Sequence, residues 1–195
     1  MASFILASAS PRRKDLLQLA EIPFKIIVSA TDESFPDSLP MEQVPLFIAN
    51  QKALAVADKI KFDSAVEDAC IIAADTIVVI ENTILGKPID RSDAIISLAK
   101  LAGKSHAVIT GVSILWKNEL VSFSETTMVE FHELTKEQIE YYVDNYKPYD
   151  KAGAYAIQEW IGVIGIKSIQ GDFYNVMGLP VSKLVKKLKQ LDLMD

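Results

Sequence analysis

Five residues within one short stretch near the start of the chain, Ser8, Ser10, Arg12, Arg13 and Lys14, set two hydroxyls among three cations. Such a set suits an anion, phosphate above all, because guanidinium forks match its oxygens and hydroxyls add further hydrogen bonds. A basic helix start facing water is the alternative reading of the same residues. Much further along, the apolar run Ala73-Ala74-Asp75-Thr76-Ile77-Val78-Val79-Ile80 carries a single charge. A carboxylate there is costly to bury unless a cation or hydrogen-bond donors meet it. Asp75 therefore reads as a general base or metal ligand, with a bend or cap between two short strands as the structural alternative. Two further residues join the inventory. Glu33 lies in a polar, acidic loop that is either solvated or able to hold a metal ion, and Lys52 can be an exposed helix lysine or a phosphate ligand.

The elements that must position these residues follow from periodicity and turn chemistry. Residues 4–7 read as a buried strand, and Leu16, Leu17 and Leu19 with Ala20 as the apolar face of a short helix. Ser10 takes the N-cap position and Pro11 the first helical one, where a missing N–H costs nothing. Arg12, Arg13 and Lys14 then oppose the helix dipole, at about 0.3 to 1 kcal/mol each, which an anion bound at that terminus offsets. Residues 24–28 read as a strand after Pro23, and residues 29–40 as a loop. A helix follows over Val44–Ile60 with Pro45 in its first turn. Cys70–Ile80 is the deepest strand candidate. Turns are expected at residues 81–83 and at Gly86-Lys87-Pro88, then a helix capped by Asp90, running to Leu101 and stopped by Gly103. Residues 105–115 and 120–131 alternate as two antiparallel strands joined through Lys117-Asn118-Glu119. His106 and His132, at opposite ends of that hairpin, lack metal-ligand spacing and read as structural or hydrogen-bonding groups. Thr135-Lys136-Glu137-Gln138 is a capping box opening a helix to about Tyr146. Residues 147–158 lose periodicity, as suits a loop lying against a ligand. A strand is expected over residues 160–166, a turn over 171–175 and a last helix over 181–191. The order of elements is mixed α/β with an antiparallel part.

Composition narrows the function classes. The chain has 195 residues, half of them hydrophobic, with 20 Lys plus Arg against 26 Asp plus Glu and a formal net charge of −6. That balance argues against a broad nucleic-acid-binding surface, which needs a general excess of cations, and leaves room for a small anionic ligand. Cys70 is the only cysteine, so a disulfide framework and a cysteine zinc site are excluded, and its apolar setting marks a core thiol. Met1 leads straight into a strand rather than a secretory leader, and no segment approaches about 18 uninterrupted apolar residues. The expectation is a cytoplasmic protein without a membrane partner. Neither a Gly-x-x-x-x-Gly-Lys-Ser/Thr loop nor a Gly-x-Gly-x-x-Gly turn is present, so the opening stretch is a different solution to phosphate binding.

Six blocks of sequence, taken together, resemble the Maf family. They are Leu6-Ala7-Ser8-Ala9-Ser10-Pro11-Arg12-Arg13, Ala74-Asp75-Thr76-Ile77-Val78, Gly86-Lys87-Pro88, His106-Ala107-Val108-Ile109-Thr110-Gly111-Val112, Asp150-Lys151-Ala152-Gly153-Ala154-Tyr155 and Asn175-Val176-Met177-Gly178-Leu179-Pro180. The resemblance implies a single Maf-like domain over residues 1–195 with a fold like that of inosine triphosphate pyrophosphatase: an α/β fold whose mixed, twisted sheet is flanked by helices, with two lobes around a central cleft. It also implies a nucleoside triphosphate pyrophosphatase, commonly a homodimer, dependent on a divalent cation such as Mg²⁺ or Mn²⁺. On this resemblance Asp75 is the catalytic carboxylate and, with Glu33, a metal ligand. Ser8, Ser10, Arg12, Arg13, Lys52 and Lys87 would hold the triphosphate. The Asp-Lys-Ala-Gly-Ala-Tyr segment ending in Gln158 resembles the branch acting on dTTP and UTP, and Arg12, Thr76 and Gln158 match its positions for base choice. An amide such as Gln158 can pair with the O4/N3–H edge of thymine or uracil. One position departs from the pattern: Ala156 replaces the glycine usual between the tyrosine and Ile-Gln. A non-catalytic nucleotide-binding regulator of cell division is the alternative that the same phosphate cradle allows.

Overall fold

A computed structural model describes residues 3–64, 66, 68–117 and 119–194. Met1, and Asn118 of the expected hairpin turn, lie outside the described residues. The elements run β1 (Phe4–Leu6), α1 (Pro11–Leu19), β2 (Phe24–Ile26), α2 (Val44–Ile60), β3 (Cys70–Ile80), β4 (Thr83–Leu85), α3 (Arg91–Leu101), β5 (Ser105–Trp116), β6 (Glu119–Phe131), α4 (Lys136–Tyr146), α5 (Trp160–Gly165), β7 (Ile166–Gln170), α6 (Phe173–Met177) and α7 (Val181–Gln190). The strands form one mixed sheet in the order β2-β1-β3-β5-β6-β7, with β4 added beside β3. β1 pairs in parallel with both β2 and β3, whereas β4 pairs antiparallel with β3 and β7 antiparallel with β6. The expected mixed α/β sheet with flanking helices is the observed fold.

The chain divides into two compact units, one formed by residues 1–75, 110–125 and 178–195, the other by residues 76–109 and 126–177. Each has its own core. In the first, Ile5, Ile71 and Ala73 of the parallel strands, with Ala7 just after β1, pack with Ala53, Val56 and Ile60 of α2. In the second, Leu98 and Leu101 of α3, Tyr142 and Val143 of α4, and Phe131 of β6 form a buried cluster with Val78 and Ile80. Cys70 is fully buried in β3, and desolvation pushes its thiol up to about 12, so it is the inert core group that its apolar setting suggests. No helix among the described residues is long and apolar enough to cross a membrane.

Several boundaries follow from local chemistry. Asp90 accepts the N–H of Asp93 at the start of α3, Gly103 (φ 69°) follows its end, and Thr135 with Gln138 completes the capping box of α4. Three expectations are corrected. The turn expected at residues 81–83 ends one residue earlier: Glu81 and Asn82 both take positive φ, a two-residue hairpin turn, and Thr83 already pairs with Ile80. Residues 160–165 form helix α5, and the strand begins only at Ile166. An apolar run of this length suits a strand or a short helix equally by composition. Here Ile161 is fully buried and Val163 is 79% exposed, although residues two apart in a strand would share a face. Finally, the turn expected over residues 171–175 becomes α6, because the Asp172 carboxylate accepts the N–H groups of Tyr174 and Asn175 at 2.7 and 3.3 Å.

Two stability tests arise from the fold. A Cβ on Gly111 of β5 would lie 2.3 Å from the backbone nitrogen of Leu46, in the first turn of α2. Gly111→Ala is therefore expected to cost about 2 to 3 kcal/mol by forcing helix and strand apart, read as a lowered denaturation midpoint. His106 is 1% exposed, hydrogen-bonded through Nε2 to the Tyr155 hydroxyl at 2.7 Å, and edge-on to Phe131 and Tyr155. Burial lowers its imidazole to about 4. The unfolded chain takes up that proton near pH 6.5 and the folded chain only near 4, so folding stability falls as pH drops through this window, by roughly 3 kcal/mol at most. In melting curves between pH 7 and 4.5, His106→Gln is expected to remove this part of the slope.

Candidate functional site

The first unit holds seven of the predicted site residues. Phe4–Leu6 pairs on both edges and is buried throughout, so the chain leaves a rigid strand directly into residues 7–10 and then α1. Ser8 is buried, and its Oγ accepts from Arg13 Nη1 at 3.1 Å and from the Ser10 N–H at 3.3 Å. Ser10 stands at the N-cap of α1 with extended backbone, but its hydroxyl does not close the cap. No acidic residue occupies the first turn.

Arg13 departs from the picture of a solvated basic helix start. Its side chain turns inward, and Nε donates to the carbonyl oxygen of Gly178 at 2.7 Å. Burial lowers the Arg13 pKa, and the neighbouring positive charge of Arg12 adds to this, while the negative charges of Asp75 and Glu33 act in the opposite direction. A guanidinium stays charged under all these influences. Two carboxylates and a second guanidinium thus lie within electrostatic reach of a buried cation. The part of Gly178 in fixing Arg13 was missed in the sequence, where the only signal was the Asn175–Pro180 block before the last helix.

Lys52 owes its place to α2. Ile48 and Val56, four residues on either side, are buried, so Lys52 stands within the apolar stripe of that helix. Its side chain is 15% exposed, unlike an ordinary solvated lysine. Nζ lies 2.7 Å from Asp75 Oδ1 and 2.8 Å from Glu33 Oε1, bridging strand β3 and the loop after β2. Asn50, two residues earlier, accepts the Ser113 hydroxyl of β5 at 2.5 Å and helps fix the rotation of the helix. Asp75 sits in an uninterrupted strand, partly buried, with its side chain 13% exposed. The bend or cap alternative is removed by that continuity. Glu33 is more open, at 47%. The neighbouring Asp32 serves the loop itself, accepting the Ser34 N–H at 3.0 Å. The convergence of Glu33, Lys52 and Asp75 was not legible in the sequence, in which each was a separate candidate.

The second unit holds Thr76, Lys87 and Gln158. Thr76 follows Asp75 in β3 and is partly buried; Lys87 and Gln158 are exposed. The segment before Lys87 is tethered by the Gly86 carbonyl, which accepts the Gly153 N–H at 3.1 Å. Gly153 (φ 67°) and Ala154 (φ 60°) are both left-handed. A Cβ on Gly153 would meet the Val78 methyls at 3.0 Å, so the bend requires glycine on two grounds. Ala156 is buried and absent from the left-handed residues, so its methyl brings no backbone strain. Among the described residues no group of three or more His, Cys, Asp or Glu forms a ready-made metal cluster.

Comparison with known proteins adds family evidence to this geometry. Residues 3–191 match the family described as Maf-like protein. Curated relatives named dTTP/UTP pyrophosphatase include one from Parabacteroides distasonis, 48% identical over 95% of this chain and 94% of its own length. Another, from Cytophaga hutchinsonii, is 49% identical over 96% and 83%, and one from Bacillus cytotoxicus is 45% identical over 98% and 97%. Among solved structures, that of the Staphylococcus aureus Ham1 protein aligns with a TM-score of 0.47 at 15% identity, over 66% of this chain and 71% of that one.

Proposed function

The chain belongs to the Maf-like protein family, and from that membership we propose that it hydrolyses dTTP and UTP to the nucleoside monophosphate and pyrophosphate. The observation that carries the proposal is the pairing of Lys52 with both Asp75 and Glu33, two carboxylates whose charges also act on the buried Arg13. It combines a carboxylate able to take a proton with cations able to hold phosphate oxygens.

Cleavage between the α and β phosphorus needs a water aimed at the α phosphorus. Asp75 takes one proton from that water, the new oxygen–phosphorus bond forms, and the α–β bridging bond breaks to release pyrophosphate. Negative charge grows on the transferring and departing oxygens. Arg12, Arg13, Lys52 and Lys87, with the Ser8 and Ser10 hydroxyls, meet that charge. Arg13 does so from a fixed position, because Gly178 and Ser8 already hold its fork. Thr76, Gln158 and Arg12 serve base choice, with the Gln158 amide facing the O4/N3–H edge of thymine or uracil.

The donor set fits a divalent cation. Carboxylate oxygens of Glu33 and Asp75 converge on one point, the Lys52 ammonium. Mg²⁺ and Mn²⁺ take such hard oxygens and fill their remaining positions with water and phosphate oxygens, so two protein carboxylates suffice. Such an ion, when bound, polarises the phosphoryl oxygens and lowers the pKa of coordinated water. Glu33 and Asp75 would hold the ion, and Lys52, which now pairs with both, would then be free to meet the phosphates.

The test is a product assay with Mg²⁺ or Mn²⁺ over dTTP, UTP, CTP and dGTP. Pyrophosphate and monophosphate are expected from dTTP and UTP ahead of the other two. Orthophosphate as the direct product, or no turnover of any of the four, contradicts the proposal.

A further inference from the structure

The steps above leave unused a polar network that lies wholly within the second unit. The carbonyl of Ala156 accepts the N–H of Glu159 at 3.1 Å, closing a turn with Ile157 and Gln158 at its apex. Ile157 is buried and Gln158 exposed. One hydroxyl joins the two ends of that turn a second time. Tyr142 Oη, on α4, accepts the N–H of Ala156 at 3.2 Å and donates to Glu159 Oε2. The other oxygen of Glu159 lies 3.4 Å from Lys151 Nζ, which is also 2.8 Å from Asp150 Oδ1. Tyr142 is fully buried and the Lys151 side chain is 9% exposed. The turn is pinned from below as well, since a Cβ on Gly162 of α5 would lie 1.9 Å from the Ile157 carbonyl oxygen.

Holding α4 against this segment needs no buried ammonium or phenol hydroxyl; apolar side chains of similar volume pack as well without the desolvation cost. The polar links instead converge on the first and last residues of a single turn, the one that presents Gln158. We infer that Tyr142 and Glu159, backed by Lys151, are positioning residues that fix the Gln158 turn and thereby set the pyrimidine preference. The inference rests on the reading of Gln158 as a base contact. A glutamine side chain is long, so its discrimination between a 4-keto and a 4-amino pyrimidine depends on how firmly its backbone is held.

Tyr142→Phe keeps the ring, including its stack on Tyr146, and removes only the hydroxyl. Glu159→Gln supplies a second variant that weakens the same link from its other side. The readout is the ratio of kcat/KM for UTP over CTP, measured for wild type, both variants, Gln158→Ala and the Tyr142→Phe/Gln158→Ala double variant. Tyr142→Phe is expected to lower the ratio about tenfold, the upper range for the single Gln158–base hydrogen bond that the turn positions, through KM for UTP rather than kcat. In the double variant it is expected to add nothing to Gln158→Ala, because both act through one contact. An unchanged ratio in both positioning variants, with Gln158→Ala lowering it, overturns the inference and leaves the base contact intact. Additive losses overturn it as well. If Gln158→Ala itself leaves the ratio unchanged, the base contact fails and the inference fails with it.

Discussion

Asp75→Asn is expected to lower kcat for UTP by roughly 10² to 10⁴-fold, the range for losing a general base. The amide has the shape of the carboxylate but takes no proton from water at neutral pH. It also removes half of the charge that Glu33 and Asp75 present to the Lys52 ammonium, so the concentration of Mg²⁺ or Mn²⁺ needed for half-maximal rate is expected to rise. The fold is expected to survive, because Lys52 keeps Glu33 as its partner and β3 is held on one side by the backbone ladder to β1. Steady-state rates and a melting curve check both parts. A rate within threefold of wild type removes Asp75 from the chemistry.

Lys52→Met is expected to lower kcat/KM by about 10² to 10³-fold, the cost of removing one preorganised donor from developing negative charge. Methionine fits the stripe between Ile48 and Val56 on α2, so the helix has no reason to move. What the substitution removes is the charge between two carboxylates. Glu33 and Asp75 would then face each other without the ammonium that now joins them, and their repulsion draws a divalent ion more tightly. The variant is therefore expected to bind Mn²⁺ better in the absence of nucleotide while turning over more slowly. Titration of Mn²⁺ by its paramagnetic effect on water relaxation measures the first, and pyrophosphate release the second. Unchanged turnover shows that Lys52 serves only as a structural ion pair.

The two variants separate what the sequence showed from what only the fold showed. The range of α2 and of β3, the capping box at Thr135 and the N-cap at Asp90 were all legible, because each rests on local rules: apolar period, cap chemistry and a left-handed stop. Asp75 was legible as a lone charge in an apolar strand. Its meeting with Lys52 and Glu33 was not, since that depends on how far α2 rotates against β5, a matter settled by Gly111 and the Asn50–Ser113 contact. Arg13 shows the same limit. Its place in a helix first turn was plain, but its inward course to the Gly178 carbonyl joins residues 165 positions apart. α5 was misread because Trp160 to Gly165 has strand-like composition, and the requirement that distinguishes it, Gly162 against the Ile157 carbonyl, is a contact in space. Tyr142 was hidden for a similar reason: on an amphipathic helix a buried tyrosine looks like any apolar residue until its hydroxyl finds Ala156 and Glu159.

In the proposed reaction, water activated at Asp75 attacks the α phosphorus while the cations around Ser8 and Arg13 hold the phosphates. The most direct measurement is a single turnover of UTP in water labelled with heavy oxygen, with both products analysed by mass spectrometry. Label is expected in the nucleoside monophosphate alone, at one oxygen per molecule. Label in pyrophosphate would place the attack on the β phosphorus and contradict this mechanism.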